Sequence, residues 1–194
     1  MKKLSSSLIL LLFSSYSTVM AATGGSGIGD TEQTPETLAV LQSQAAAGSD
    51  KAQMKLGVIY LEGRGVAADI DKAIFYYRMA AEREIAFAQL KLARIYLDGK
   101  YVKSDPEKGL NWLMRSARHG FVRAQLDLST LYEDGTIVNQ DMVRAHQWIS
   151  IASSLTDMDL EQRKETLEAK MTFTEVAYAR LRSRVCILNG YEDC

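Results

Sequence analysis

The sequence predicts an all-α protein, an α-solenoid of stacked antiparallel helix pairs. The main observation is a repeat: the stretch YLEGRGVAAD at Tyr60 returns as YLDGKYVKSD at Tyr96 and as YEDGTIVNQD at Tyr132. The spacing is 36 residues in both cases. A fixed period of this length is typical of repeat proteins with one helix pair per unit, whose units bury their apolar faces only by stacking.

The N-terminal residues 1–21 have the pattern of a secretory signal peptide. A charged start is followed by a short apolar run, Leu8 to Phe13, and by small residues that end at Ala21. We predict cleavage near Ala21 and an exported mature chain, because the apolar run is too short for a membrane span. No stable membrane insertion is expected.

Two segments precede the repeats. Residues 22–33 are glycine-rich and polar, which predicts a flexible lead. Residues 34–47 are predicted to form an N-terminal capping helix, because a Thr-Pro-Glu start is followed by apolar residues at helical spacing.

Three units follow within 48–154, at 48–83, 84–119 and 120–154, and each is predicted to contain helix A, a connector and helix B. In the first unit, helix A is predicted from about Asp50 to Glu62 and helix B from about Ile70 to Glu84.

The connector resembles a phosphate-binding loop in the first unit only. Its second glycine, Gly65, becomes Tyr101 and Ile137 in the other units, so a nucleotide site is not predicted. The glycine that persists follows an apolar helix, where a left-handed residue is needed to end the helix. Six residues later an aspartate can cap the next helix. The glycines are Gly63, Gly99 and Gly135, and the capping aspartates are Asp69, Asp105 and Asp141.

Two further positions predict how the helices pack. One stays small, which lets a neighbouring helix approach closely, and its residues are Gly57, Ala93 and Ser129. The other stays aromatic and is predicted to fill the space between units, and its residues are Tyr76, Trp112 and Trp148.

The repeated pattern is A-Q-x-x-L-[GAS]-x-x-Y-x-x-G-x-x-V-x-x-D-x-x-[KR]-A-x-x-[WY], and it resembles the Sel1-like repeat, a relative of the tetratricopeptide repeat. Two departures are mild. Glu84 stands where Gly48 and Gly120 begin the other units, and Gly109 replaces an alanine of helix B. The resemblance implies an exported bacterial protein that acts as an adaptor or assembly factor.

Residues 155–194 are predicted to form a C-terminal capping helix pair with a disulfide-tied tail. The first helix is expected at Asp157 to Lys170, and the second begins at a capping box of Thr172 and Glu175. The second helix keeps one face apolar through Tyr178, Leu181, Val185 and Leu188.

The two cysteines, Cys186 and Cys194, are expected to form a disulfide in an exported chain. The rival interpretations, a metal site or a catalytic thiol, require histidines close in space. The chain contains only His119 and His146, neither with metal-ligand spacing.

No catalytic, cofactor-binding or metal-binding residue is predicted. The acids Glu62, Asp98 and Asp134 recur beside the connector glycine, but a glycosidase needs two carboxylates in unlike environments. Without Lys2 and Lys3 the chain has 21 basic and 24 acidic side chains, and no basic stripe predicts nucleic-acid binding.

The resemblance to tetratricopeptide repeats implies that helix A lines a concave, partner-binding face. Three rows of side chains would line it: Lys51, Phe87 and Arg123; Met54, Leu90 and Leu126; and Val58, Arg94 and Thr130. Apolar and basic residues together suit a peptide of some acidic character. The alternative is that the Met54 row packs inside the core.

The leading hypothesis is therefore a non-enzymatic protein–protein interaction scaffold of the bacterial cell envelope, periplasmic or secreted, which binds a peptide or protein partner. Two alternatives stay open. One is a cell-wall-directed enzyme, such as a hydrolase, or a binder of muropeptide or β-lactam. The other is a secreted factor that acts on another cell.

Overall fold

A computed structural model describes residues 35–192 and 194 of the chain. Within this part the only regular elements are α-helices, as the repeat predicts. They are α1 (Pro35–Ala46), α2 (Asp50–Glu62), α3 (Ile70–Glu82), α4 (Ala86–Asp98), α5 (Pro106–Arg118), α6 (Val122–Asp134), α7 (Met142–Ser153), α8 (Glu161–Glu168) and α9 (Phe173–Leu188). The predicted signal peptide and flexible lead lie outside the described residues. None of the described helices is long and apolar enough to span a bilayer.

The three units are the helix pairs α2–α3, α4–α5 and α6–α7, and each pair also packs on the next. The all-α solenoid is confirmed. Helix A of the first unit has the predicted bounds, whereas helix B ends at Glu82 rather than Glu84. The reason is local: Glu84 has a left-handed backbone, with φ of 64°, which no α-helix continues.

The connectors are helix–helix turns and not ligand loops. Gly63, Gly99 and Gly135 have φ of 72°, 63° and 65°, so each ends its helix in the left-handed conformation that favours glycine. The side chain of Asp69 accepts a hydrogen bond from the backbone N–H of Lys72, and Asp105 and Asp141 cap α5 and α7 in the same way. The caps and the glycine turns were both predicted.

The small position lets helices A and B meet closely in the first unit. A Cβ atom built on Gly57 would lie 2.5 Å from the ring of Tyr77, which is fully buried. The equivalents of Gly57 are Ala93 and Ser129, while those of Tyr77 are Leu113 and Ile149. A smaller residue on helix A therefore faces a larger residue on helix B, and the predicted close approach is present.

The core consists of two clusters of buried apolar side chains. One centres on Leu56, Tyr77 and Leu92, and the other on Leu128 and Trp148. Trp112 packs against both clusters, so the repeated aromatic position connects one unit with the next.

A repeated glutamine joins each unit to the helix before it. The buried Nε2 of Gln53 donates to the carbonyl of Ala45, at 3.0 Å. Gln89 and Gln125 do the same to Ala81 and Ala117, each also at 3.0 Å. Each carbonyl lies in the last turn of the preceding helix and also accepts a backbone N–H from the turn that follows, so the glutamine is its second donor. The sequence repeats the Ala-Gln pair, but a role for the amide did not follow from the pattern.

The C-terminal region differs from its prediction in the length of its first helix. The helix expected at Asp157 to Lys170 is shorter, because the side chains of Thr156 and Asp159 accept backbone N–H groups and form turns before α8. The capping box of Thr172 and Glu175 is confirmed at the start of α9. The predicted apolar face of α9 is present, and it lies at the surface.

The inner face of α9 is formed instead by small residues, Ala179, Ser183 and Cys186, which are buried. The sulfur atoms of Cys186 and Cys194 lie in disulfide geometry, with Cα atoms 5.2 Å apart. Tyr191 and Cys194 also pack against the second core cluster, so the tail folds back on the array.

Candidate partner-binding face

The helices α2, α4 and α6 share one side of the array, which we call the A-helix face. Most of the residues predicted to bind a partner are accessible on it. Lys51, Arg123 and Thr130 are exposed, and five are half-buried, namely Met54, Val58, Phe87, Arg94 and Leu126. Leu90 is a correction: it is only 3% exposed and belongs to the second core cluster, so it is not available to a partner.

A cleft of about 430 Å³ opens on this face at the first unit. Met54, Val58 and Ile85 form its apolar lining, and Asp50, Lys51 and Lys55 complete it. Asp50 is engaged by Arg83, at 2.6 Å. No ion pair involves Lys51 or Lys55 within the described residues, so both ammonium groups are free to meet an incoming carboxylate.

An aromatic pair continues the face beyond the cleft. The rings of Phe87 and Phe121 meet edge to face, with centroids 6.2 Å apart. The ammonium of Lys91 lies 5.1 Å from the centre of the Phe87 ring. Lys91 occupies the position of Lys55 in the next unit, so the cationic edge extends over two units.

In the other half of the A-helix face, the charged side chains are paired with one another. Arg94 donates twice to the same carboxylate oxygen of Asp127, at 2.7 and 3.1 Å, and Arg123 donates to the other, at 3.1 Å. Arg163 of α8 donates to the hydroxyl of Thr130, at 2.6 Å. Arg94 is therefore committed to a structural contact. The repeat pattern did not predict this role of Asp127, because its equivalents, Lys55 and Lys91, are basic.

His146 is buried between α7 and α8 and is fully hydrogen-bonded. Its Nε2 lies 2.6 Å from a carboxylate oxygen of Glu168, and its Nδ1 lies 3.3 Å from the hydroxyl of Ser150. Burial lowers the pKa of His146, and it outweighs the opposing hydrogen bond to Glu168. The order serine, histidine, glutamate occurs in hydrolases. Here the imidazole has no exposed surface, which excludes contact with a substrate in this conformation.

His119 lies near the surface and contacts the carboxylate of Glu84, which also accepts from Arg115 at 2.7 Å and from Gln89 at 3.0 Å. Burial alone would raise the pKa of Glu84, but the hydrogen bonds from Arg115, Gln89 and His119 lower it below its usual value. These contacts explain why a glutamate occupies a left-handed position that is glycine in the other units.

The repeated acids Glu62, Asp98 and Asp134 are all exposed, and Glu62 pairs with Arg64. Among residues 35–192 and 194, no group of three or more histidine, cysteine and acidic side chains is arranged to hold a metal.

Comparison with known proteins places these features in a family. The family model described as Sel1 repeat matches residues 50–84, 86–121 and 122–157. No curated protein matches the chain.

Two solved structures are similar to the chain. A Sel1 repeat protein from Oxalobacter formigenes is 35% identical, with a TM-score of 0.59, over 66% of this chain and 97% of that one. A protective antigen of uropathogenic Escherichia coli, which displays an SLR fold, is 30% identical with a TM-score of 0.68. That match covers 81% of this chain but only 35% of the antigen. The chain belongs to the Sel1 repeat family.

Proposed function

We propose that this protein is a non-enzymatic protein–protein interaction scaffold of the bacterial cell envelope, and that a partner peptide docks in the cleft of the A-helix face. The observation that carries the proposal is the combination of an apolar cleft and two unpaired lysines at its edge, Lys51 and Lys55. Sel1 repeats typically serve as interaction modules, which agrees with a binding role.

The cleft suits a peptide rather than a flat protein surface. Its volume of about 430 Å³ accommodates one or two apolar side chains. Carboxylates next to those side chains would meet Lys51 and Lys55, and electrostatic attraction of this kind sets partner choice and association rate. A partner segment with one apolar anchor and neighbouring acids therefore fits best.

Two features support a location outside the cytoplasm. The signal-peptide pattern predicts export, and the pairing of Cys186 with Cys194 suits an oxidising compartment. We propose a periplasmic or secreted protein, and fractionation of the producing cells distinguishes the two.

The first experiment identifies the partner by photocrosslinking in the producing cells. A photoreactive residue placed at Lys55 is expected to give one dominant adduct, which mass spectrometry identifies. A peptide from the adduct site is then tested for binding to the purified protein by fluorescence anisotropy.

The second experiment tests the cleft with charge reversal. Lys51→Glu combined with Lys55→Glu is expected to weaken binding of that peptide at least tenfold, about 1.4 kcal/mol. Lys103→Glu, at an exposed position in the second connector, is the matched control and should leave binding unchanged. Equal affinity of the double variant and the wild type would disprove docking in the cleft.

The absence of enzymatic activity is tested separately. The purified protein is incubated with labelled penicillin and with muropeptides, and we expect neither substrate to be turned over. Turnover would favour the cell-wall enzyme over the scaffold.

A further inference from the structure

The third unit carries an acid at a position where the other two units carry a lysine. Asp127 on α6 is the equivalent of Lys55 on α2 and of Lys91 on α4. Both lysines lie on the A-helix face, and neither takes part in an ion pair within the described residues. A third lysine would continue this row of cations into the third unit, and Asp127 interrupts it.

Asp127 neutralises two arginines of the same face. One oxygen of its carboxylate accepts from Arg94, at 2.7 and 3.1 Å, and the other accepts from Arg123, at 3.1 Å. The side chain of Asp127 is 25% exposed, compared with 38% for Arg94 and 64% for Arg123. The carboxylate is thus the least exposed of the three groups, and it occupies N–H donors that a ligand carboxylate would otherwise take.

The fold gives Asp127 an advantage over any such ligand. Guanidinium groups are well suited to hold carboxylates, so two of them on an accessible face would form a strong site for an acidic side chain. Asp127 belongs to the same chain, and its effective concentration beside the arginines is far above that of a ligand in solution. An acid of the partner therefore gains little at the third unit.

We propose that Asp127 is a specificity-determining residue, which closes the third unit to acidic segments and limits the acidic stretch of the partner to the first two units. This inference rests on the proposed function, because it concerns the same face. A helix with its side chains is about 10–12 Å wide, so α2 and α4 together span roughly 20 Å. An extended segment crosses that distance in about six residues. The partner therefore carries an apolar anchor next to about six residues rich in acids.

The charges determine the size of the effect. Arg94, Arg123 and Asp127 together carry one excess positive charge, whereas lysine in place of Asp127 would give three unpaired cations. One exposed ion pair alters an equilibrium constant by about fivefold at most. Three of them acting together therefore change the affinity for a long acidic segment more than about tenfold.

Fluorescence anisotropy with two synthetic peptides tests the inference. Each peptide carries one leucine, next to four glutamates in the short peptide and to ten in the long peptide, which reach about 13 Å and 33 Å. Each is made with the leucine at either end, so that both directions of binding are sampled. The wild type is expected to bind the short and the long peptide with Kd values within about threefold of each other.

Two variants of Asp127 should create a preference for the long peptide. Asp127→Lys copies the residue of the other two units and is expected to bind the long peptide at least tenfold more tightly than the wild type does. Its affinity for the short peptide should change less than about twofold, because charges beyond the Debye length of about 8 Å are screened. Asp127→Asn frees both arginines without adding a charge, so the gain should be about threefold. It keeps the size of the side chain, and it replaces Asp127→Lys if that variant does not fold.

Glu107→Lys is the matched control. It changes the net charge by the same amount as Asp127→Lys, but at an exposed position on α5, away from the A helices. Both affinities should stay at their wild-type values. In 1 M salt, where the Debye length is about 3 Å, the gain of Asp127→Lys should disappear.

Circular dichroism confirms that each variant is folded. A purely structural role of Asp127 would change stability without creating a preference for the long peptide. Absence of that preference in Asp127→Lys, or in Asp127→Asn if Asp127→Lys is unfolded, overturns the inference. A wild type that already binds the long peptide tenfold more tightly than the short one, or an equal gain in Glu107→Lys, does so as well.

Failure of the docking cleft itself gives a different result. Binding of the short peptide that Lys51→Glu combined with Lys55→Glu does not weaken would disprove the cleft and leave the length preference as the measure of Asp127. A wild type that binds neither peptide would disprove both proposals.

Discussion

Replacing Gly57 with alanine tests the close contact between helices A and B in the first unit. Helix propensity alone predicts that this change in a helix interior stabilises the protein by about 1 kcal/mol. The structure predicts the opposite. The new Cβ would lie 2.5 to 2.8 Å from three ring atoms of Tyr77, and that ring is fully buried, so it cannot rotate out of the way.

Overpacking of this kind costs about 1–3 kcal/mol. After the propensity gain is subtracted, we expect Gly57→Ala to lower the free energy of unfolding by about 0–2 kcal/mol. For a domain of this size the upper end of that range corresponds to a fall in Tm of roughly 4–8 °C. Thermal and urea unfolding followed by circular dichroism measure both quantities.

The second unit suggests a rescue. There the corresponding residues are Ala93 and Leu113, so Gly57→Ala combined with Tyr77→Leu copies a pair that the chain already contains. Tyr77→Leu alone should cost about 2–3 kcal/mol, because it leaves a cavity in the core. In the double variant the cavity accommodates the new methyl group. We expect the double variant to be about 1–2 kcal/mol more stable than the sum of the single changes.

Ser129→Ala is the control at the equivalent position of the third unit. It adds no atom and removes a buried hydroxyl that has no hydrogen-bond partner among the described residues. Its stability should be unchanged or higher by about 0.5–1 kcal/mol. A stabilising Gly57→Ala, or strict additivity in the double variant, would refute the steric argument.

Three further predictions concern the ends and the unit boundaries. Reduction of the Cys186–Cys194 disulfide, or replacement of both residues by serine, should lower stability by about 2.5 kcal/mol or less while the helical circular dichroism signal persists; free thiols in protein purified without reductant would contradict the pairing. Gln125→Ala removes the buried side-chain donor to the Ala117 carbonyl, which keeps the backbone N–H of Gly120, and it opens a cavity, so urea unfolding should show a loss of about 1–3 kcal/mol; an unchanged midpoint would be inconsistent with this role. Burial lowers the pKa of His146 below 6.5, so as the pH falls the unfolded chain takes up a proton before the folded chain does. The stability that comes from the neutral imidazole should therefore be present above about pH 6.5 and lost as the pH falls. Unfolding measured from pH 7.5 to 5 should show this loss in the wild type but not in His146→Gln, and identical pH profiles would contradict it.

The sequence predicted the elements whose cause is local and repeated. The turn at Gly63 depends on backbone conformation, and the cap by Asp69 depends on a neighbour three residues away, so both follow from the pattern. Recurrence at the same spacing three times made these interpretations specific.

Features that depend on contacts between distant residues did not follow. The pairing of Arg94 with Asp127 crosses 33 residues, and it breaks the repeat, because the equivalent of Asp127 is lysine in both other units. Burial of Leu90 depends on how far α4 is rotated, which periodicity defines only approximately. The outward direction of the α9 stripe did not follow from its spacing, because the small residues Ala179 and Ser183 form the buried face of the helix.

The lining of the candidate cleft was predicted only in part. Lys51, Met54 and Val58 lie on one helix at helical spacing, so the pattern placed them on a common face. Ile85 comes from the next unit, and its contribution depends on the packing of one unit against another.

The position of Trp112 against both core clusters has a consequence for how the array unfolds. In a linear series of units, cooperativity depends on the coupling between neighbours, and strong coupling makes all units melt together. Trp112 supplies part of that coupling at the boundary between the two clusters. A smaller residue there would uncouple the two halves, so that one could open while the other stays folded, and hydrogen exchange would then separate them into two protection classes.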